Sequence, residues 1–288
     1  MSLENPAVAR TAPPALRDCV DRACILAWRE DVGPLERALV TEGFRVEVVR
    51  PAYTAEELTY SRVARCLLNH RSVWARCAAQ AGLWAVVEAD FVPCRGFGSL
   101  PLPFPWEWRD RSWAWLYAGG PRLYERLPGG FLRGHACTTV ATLLGPEVAR
   151  TLVGFADEEI ARNGTGTLSP WDTYLQYYLK KKGMLSFFPA RQYGEHGGIP
   201  NPEHAVAGMG MQGSHQADVL WGPLRFLPAY ARGSRIRYGG YRSRAKLLGA
   251  ARLLTGRFVE PGTWRNVPDA GTRLRLVATG IRRLLNPW

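Results

Sequence analysis

The run Trp84-Ala85-Val86-Val87 has no polar residue to turn towards water, and it stops abruptly at Glu88, with Asp90 two positions further on. A strand with one solvated face alternates apolar and polar residues, whereas an unbroken apolar run of this length belongs to a strand covered on both faces. Covering both faces of a sheet takes helices on both sides, so this stretch commits the chain to a layered α/β architecture.

The flanking sequence agrees. "RACILAW" (22–28) is a second short apolar run. "VGPLERALVTEG" (32–43) has helical spacing through Leu35, Ala38 and Leu39 and a stop at Gly43, and "FRVEVVRP" (44–51) alternates up to a proline. From Ser61, a fitting N-cap, the residues Val63, Cys66, Leu67, His70, Val73, Trp74, Cys77 and Ala78 recur at the helical period; Gly82 ends the helix just before the opening run. Further on, "SWAWLYAGG" (112–120) predicts a strand closing in glycines. Thr139 to Leu144 predicts another, followed by a helix from Pro146 to Gly154. Residues 169–183 predict a helix capped by Ser169 with Pro170 at its first position, and the glycine- and histidine-rich 194–215 predicts a loop.

The first eighteen residues contain no apolar core of signal-peptide length, and no window approaches the roughly 18 apolar residues of a spanning helix. The expected location is cytoplasmic. Six cysteines, at 19, 24, 66, 77, 94 and 137, form no CxxC pair or zinc-like spacing with the five histidines, so they are expected to be small buried hydrophobes.

Charge divides the chain. Fourteen of its 37 lysines and arginines, but only two of its 25 acids, lie in residues 221–288, so this segment carries the whole net charge of +12 and residues 1–220 are neutral. Two units follow, a body at 1–220 and a basic extension at 221–288.

Ligands of open α/β sheets bind beyond the carboxyl ends of the strands, which is where Glu88 and Asp90 fall. Two apart on a strand, their side chains share a face. Carboxylates placed so repel unless a cation lies beside them, and hard oxygen ligands suit Mg²⁺ or Mn²⁺. A solvated strand end with two ordinary acids is the plainer alternative. His70 sits on an apolar helix face, where core histidines bonded to a carbonyl are common. Trp106 and Trp108, between prolines and charges, are candidates for stacking on a sugar; Trp113 and Trp115 read as strand.

The body, from about residue 22 to 205, resembles glycosyltransferase family 25. The matching pieces, in order, are "CILAWRE", "CLLNHRSVW", "AVVEADFVP", "HACTTVATLLGPEVARTLV" and "SPWDTYL". The resemblance implies a GT-A (Rossmann-like) fold, a nucleotide-sugar donor, in all expectation a UDP sugar, and inverting transfer of a hexose to a saccharide acceptor of bacterial lipopolysaccharide or a related surface glycan. It implies Mn²⁺ or Mg²⁺ on Glu88 and Asp90, completed by a late histidine such as His196 or His204, from a cluster that also holds Glu203 and His215. It places His70 and Asn69 near the donor and makes Asp172 the general base, with Glu195 its rival. Asp172 also suits a plain helix-dipole role near the start of its helix. Ala89 stands where the family has a middle acid, Asn69 where serine is common, and the opening strand lacks the usual arginine-containing signature. These departures keep open a second reading, a catalytically degenerate transferase fold acting as a membrane-associated binding protein.

Two segments of the extension have amphipathic helical patterns. Leu247, Leu248, Ala251, Leu254 and Phe258 line one face of the first; Leu274, Val277, Ala278, Ile281, Leu284 and Leu285 line one face of the second. Cationic amphipathic helices lie in the headgroup layer of anionic membranes. Residues 240–288 are therefore expected to hold the protein on the inner face of the cytoplasmic membrane, near a lipid-linked acceptor. Helices docked on the body with arginines in water come second; nucleic acid, for which no recognition motif is present, comes third.

Overall fold

The two-sided burial inferred for the opening run is what a computed structural model of the protein shows; it describes residues 12–166, 169–199, 216–267 and 269–285. Strand β3 (Leu83–Glu88) sends Ala85 and Val87 to one side of the sheet and Trp84 and Val86 to the other. On the first side lies helix α2 (Gly33–Thr41) with Leu35 and Leu39. On the second lies α3 (Arg62–Ala78) with Leu67, Val73, Trp74 and Cys77. Each of these aliphatic side chains contributes about 1.5–3 kcal/mol when fully buried, which is why an uninterrupted apolar strand selects this layered packing.

Among the described residues the main sheet has eight strands in the order β2-β1-β3-β8-β5-β9-β7-β6. Their ranges are β1 Val20–Leu26, β2 Val46–Val49, β5 Ser112–Trp115, β6 Gly119–Arg126, β7 Leu132–Cys137, β8 Ala141–Leu144 and β9 Leu185–Phe188. β1 runs parallel to β2 and β3, and β5 parallel to β9, while β8 and β7 run against their neighbours. Two further strands, β4 (Phe91–Pro93) and β10 (Gly194–His196), form a separate antiparallel ladder. A four-residue helix α1 (Leu16–Cys19) precedes β1. Helices α4 (Pro146–Asn163) and α5 (Trp171–Lys181) cover the α3 side of the sheet, and α6 (Arg235–Leu254), α7 (Pro261–Asn266) and α8 (Ala270–Leu284) form a helical C-terminal part. The fold is the α/β, Rossmann-like arrangement expected of the GT-A type. No helix among the described residues is long and apolar enough to cross a membrane.

Several local expectations are corrected. Glu88 and Asp90 do not share a strand face: the strand ends at Glu88, Ala89 and Asp90 make a turn, and β4 beyond them belongs to the separate ladder. Helix α4 runs nine residues past Gly154 to Asn163, because Leu152, Phe155 and Ala156 continue the buried face. Ser169 does not cap α5. Pro170 occupies the cap position and the Ser169 hydroxyl donates to Glu159 instead. Residues 194–196 are strand rather than loop, and Trp108 is buried against Phe187. Ser61 does cap α3, accepting a 3.1 Å bond from the Ala64 amide, and Trp113 and Trp115 are buried in β5. The cysteines are free; Cys19, Cys24, Cys77 and Cys94 are buried, with Cys66 and Cys137 half-buried.

Candidate functional site at the carboxyl ends of β1 and β3

β1 and β3 are parallel neighbours in register, Leu26 beside Glu88, so both chains leave the sheet at the same edge. Backbone emerging there must turn, and the space between the two exits is a cleft of about 550 Å³. Three walls define it. Trp28, Arg29 and Glu30 follow β1. Arg62, Arg65, Cys66 and Asn69 come from α3, Cys66 at the edge of its apolar face. Glu88, Ala89 and Asp90 form the end of β3 and its turn.

Glu88 is fixed by two bonds to one oxygen. The Thr139 hydroxyl donates to Oε1 at 2.8 Å, and His70 Nε2 lies 3.1 Å from the same atom. His70 is fully buried; its ring packs at 5.3 Å against Trp74 and edge-on at 5.6 Å against Trp171. His70 is therefore a core histidine and, at the same time, the group that orients Glu88. Trp171 is the first residue of α5 and immediately precedes Asp172, so this contact ties the start of α5 to α3. The Cys66 thiol is pushed well up, by burial first and then by the charges of Glu88, Asp172, Asp90 and Glu30. Of these four, Glu30, Glu88 and Asp90 line the cleft, whereas Asp172, in the first turn of α5, is not among its lining residues.

Asp90 is held from the opposite side. His196, at the end of β10, places Nε2 3.0 Å from Asp90 Oδ2, and the Gly197 amide donates to the Asp90 carbonyl at 2.8 Å. Gly198 is needed here, since a Cβ would stand 2.2 Å from Asp90 Oδ2. Burial works against ionising both partners, but their mutual attraction outweighs it: the Asp90 carboxyl is lowered and the His196 ring is raised to about 9. A histidine raised in the fold contributes stability that is whole below its ordinary value of 6.5 and is lost as pH rises through about 9. With EDTA present, the melting temperature is expected to fall between these limits, and His196→Gln should remove the fall. An equal fall in both proteins would show that the pair adds nothing.

Asp90 Oδ1 is buried with no hydrogen-bond partner, and so are Asn69 Oδ1 and Arg65 Nε. Buried polar atoms left unpaired in a cleft call for an explanation. Unpaired carboxylate oxygen is the donor chemistry that Mg²⁺ or Mn²⁺ takes, and the Glu88 and Asp90 side chains both open onto the cleft. Both acids carry oxygen of that kind, but the cluster of ligand-type atoms that forms around Glu88 among the described residues does not include Asp90. The wider set expected from the sequence is only partly assembled. His196 meets Asp90 directly, His204, Glu203 and His215 lie outside the described residues, and the ligand-type atoms of Cys66, His70 and Glu88 come within 4.8 Å of one another.

Glu195 is placed away from the cleft. It is fully buried: the Ala217 amide donates to Oε1 at 2.7 Å, and Arg242 of α6 pairs with Oε2 at 3.0 Å. Burial pushes it up to about 7, against the opposing pull of Arg242, the Ala217 amide and His196. Its place is structural: it anchors β10, and so His196, to the C-terminal helices.

Trp28, Tyr53, Arg62 and Arg65, which no sequence motif marks, also line the cleft. Arg65 lies over the Trp28 ring at 4.9 Å with Arg29 at 4.1 Å, and Tyr53 stands edge-on to Trp28 at 6.1 Å. The sequence holds one signal for two of these residues: Arg62 and Arg65, with Asn69, follow helical spacing along the edge of the apolar face that marks α3.

No family model matches the sequence, and no curated protein matches it, so the similarity to family 25 rests on the quoted motifs alone. A solved structure to which the chain is similar is titled "crystal structure of a glycosyltransferase involved in the glycosylation of the major capsid of PBCV-1". The TM-score is 0.39 and the identity 6%, over 59% of this chain and 81% of that one.

Proposed function

We propose that the chain is a glycosyltransferase that binds a nucleotide-sugar donor in the β1–β3 cleft. The observation that carries this is the pairing, within one cleft at a sheet's carboxyl edge, of unsatisfied carboxylate oxygen with arginines and a tryptophan. A nucleoside diphosphate needs just these: an aromatic face for the base, guanidinium groups for the diphosphate, and acids for its cation. In this reading Trp28 and Tyr53 take the nucleobase, and Arg62 and Arg65 the diphosphate. Glu88 and Asp90 hold Mn²⁺ or Mg²⁺, which when bound supplies positive charge for the departing diphosphate. Asn69 supplies an acceptor oxygen to the donor.

Asp172 is the base of this proposal. The acceptor hydroxyl oxygen bonds to the anomeric carbon as the bond from that carbon to the diphosphate oxygen breaks, and the hydroxyl proton passes to the Asp172 carboxylate. Inversion at the anomeric carbon follows from a single displacement. A UDP sugar as donor, a hexose as the group moved, a lipopolysaccharide-type acceptor and membership of family 25 are the finer parts of the proposal, supported by the motif order.

Donor hydrolysis across a panel of nucleotide sugars, with and without Mn²⁺, tests it. Cation-dependent release of one nucleotide is expected. The second reading, a binding protein on a degenerate transferase fold, is favoured by the Asp90–His196 bond, which already engages one oxygen of the acid, and by Ala89. Nucleotide-induced thermal stabilisation with no turnover would select it, and neither effect would end both readings. Stacking on an aromatic ring contributes about 1–3 kcal/mol per base, so Trp28→Ala is expected to raise the nucleotide Kd at least about fivefold by titration calorimetry. An unchanged Kd would remove the base from that wall.

A further inference from the structure

The C-terminal helices pack the opposite way round from an ordinary amphipathic helix. The side of α6 facing the body carries Arg242, Ala245 and Gly249, and that of α8 carries Leu276, Thr279, Gly280 and Arg283. Arg242 reaches Glu195, and Arg283 forms two bonds of 2.6 and 2.8 Å to Asp218 while donating to the Ala190 carbonyl. With Arg242 and Arg283 on the side that faces the body, the apolar stripes point out. In α6, Ile236, Leu247, Ala251 and Leu254 fall within a narrow sector of the helical wheel directly opposite the buried side. Ile236 is 89% exposed, Leu247 71% and Leu254 88%. In α8 the corresponding crest is Leu274, Ile281 and Leu285, with Leu274 69% exposed. The two helices are neighbours through Leu253 of α6, which lies beside Gly280 of α8.

Both crests are flanked by exposed cations: Arg237 and Arg244 beside the first, Arg275 and Arg282 beside the second. Of the segment's two acids, Glu260 pairs with Arg122, and Asp269 caps α8 through the Thr272 amide and feels the charge of Arg275; neither forms an ion pair with Arg237, Arg244 or Arg282 among the described residues.

We propose that the exposed crests of α6 and α8 form one docking surface for an anionic lipid bilayer, with the leucines in the acyl boundary and the arginines at phosphate level. Three occupants compete for such a surface, and charge separates them. A second copy meeting it face to face would set arginines against arginines. A nucleic acid would satisfy the arginines yet leave the exposed leucines in contact with charge. Anionic headgroups above an acyl layer satisfy both. The surface stands whatever reaction the cleft performs.

The test is sedimentation of the full chain with vesicles of phosphatidylcholine, with or without phosphatidylglycerol, at physiological salt. Binding is expected only with the anionic lipid. The exposed triple variant Leu247→Ser, Leu254→Ser, Leu274→Ser should lower the partition coefficient at least about tenfold, and Arg237→Gln with Arg244→Gln should lower it by about fivefold per arginine removed. An unchanged circular dichroism spectrum and melting temperature in both variants show that they remain folded. Equal binding to neutral vesicles, or binding indifferent to the leucines, would overturn the proposal. A dimer by light scattering that the leucine variant abolishes would assign the crests to a second copy, and leucine-independent capture of duplex DNA with no vesicle binding would assign the arginines to nucleic acid.

Discussion

Asp90→Asn is expected to lower Mn²⁺-supported donor turnover on the order of 10²–10³-fold, the usual cost of removing one preorganised electrostatic contact to a transition state. The amide keeps a hydrogen-bond acceptor for His196 Nε2 but removes the charge that raises that ring, and it offers a cation only a neutral oxygen. Glu88→Gln should behave alike, since Thr139 and His70 would still orient the side chain. Two measurements decide the matter. Steady-state turnover against Mn²⁺ concentration should show a raised metal requirement as well as a lower ceiling. The melting temperature in EDTA should move far less than activity does. Turnover unchanged in both variants would remove these carboxylates from the chemistry, and the transferase proposal with them.

Glu195→Ala is expected to cost about 3–5 kcal/mol of stability, because it strands the buried Arg242 guanidinium without its partner. Buried ion pairs are poor evidence of net stabilisation, since desolvating two charges offsets most of their attraction; breaking one side is what costs. The prediction therefore has a second arm. The double variant Glu195→Met, Arg242→Met should be less destabilised than either single change, as read from denaturant midpoints. A further consequence follows from position. Glu195 precedes His196 on β10, so loosening the Arg242 anchor should also weaken the hold on Asp90. If Glu195→Ala melted like the unaltered protein, the anchoring role would fall.

Much of the fold was legible because it is written in local patterns. The apolar run at 84–87, the cap at Ser61 and the periodic face of α3 each state what a strand or helix must bury, and each held. Other strands defeated the same reasoning. β6 and β7 pair with each other but carry mixed composition, and the four-residue β9 is held by β5 and β7, both far away in sequence, so no local pattern marks them. Within the site, Glu88 and Asp90 were visible by their position after a buried strand. Trp28, Tyr53 and Arg65 were not, because a cleft joins segments that sequence spacing keeps apart.

The extension shows the division most sharply. Its periodicity and charge determined that α6 and α8 would be helices with one apolar and one basic side. Which side would face the body was decided only in three dimensions. The body presents Glu195, Asp218 and the Ala190 carbonyl at the docking surface, and buried acids accept arginine more readily than leucine. Local sequence sets what each element can bury. The partner it meets, brought from far along the chain, chooses what it does bury.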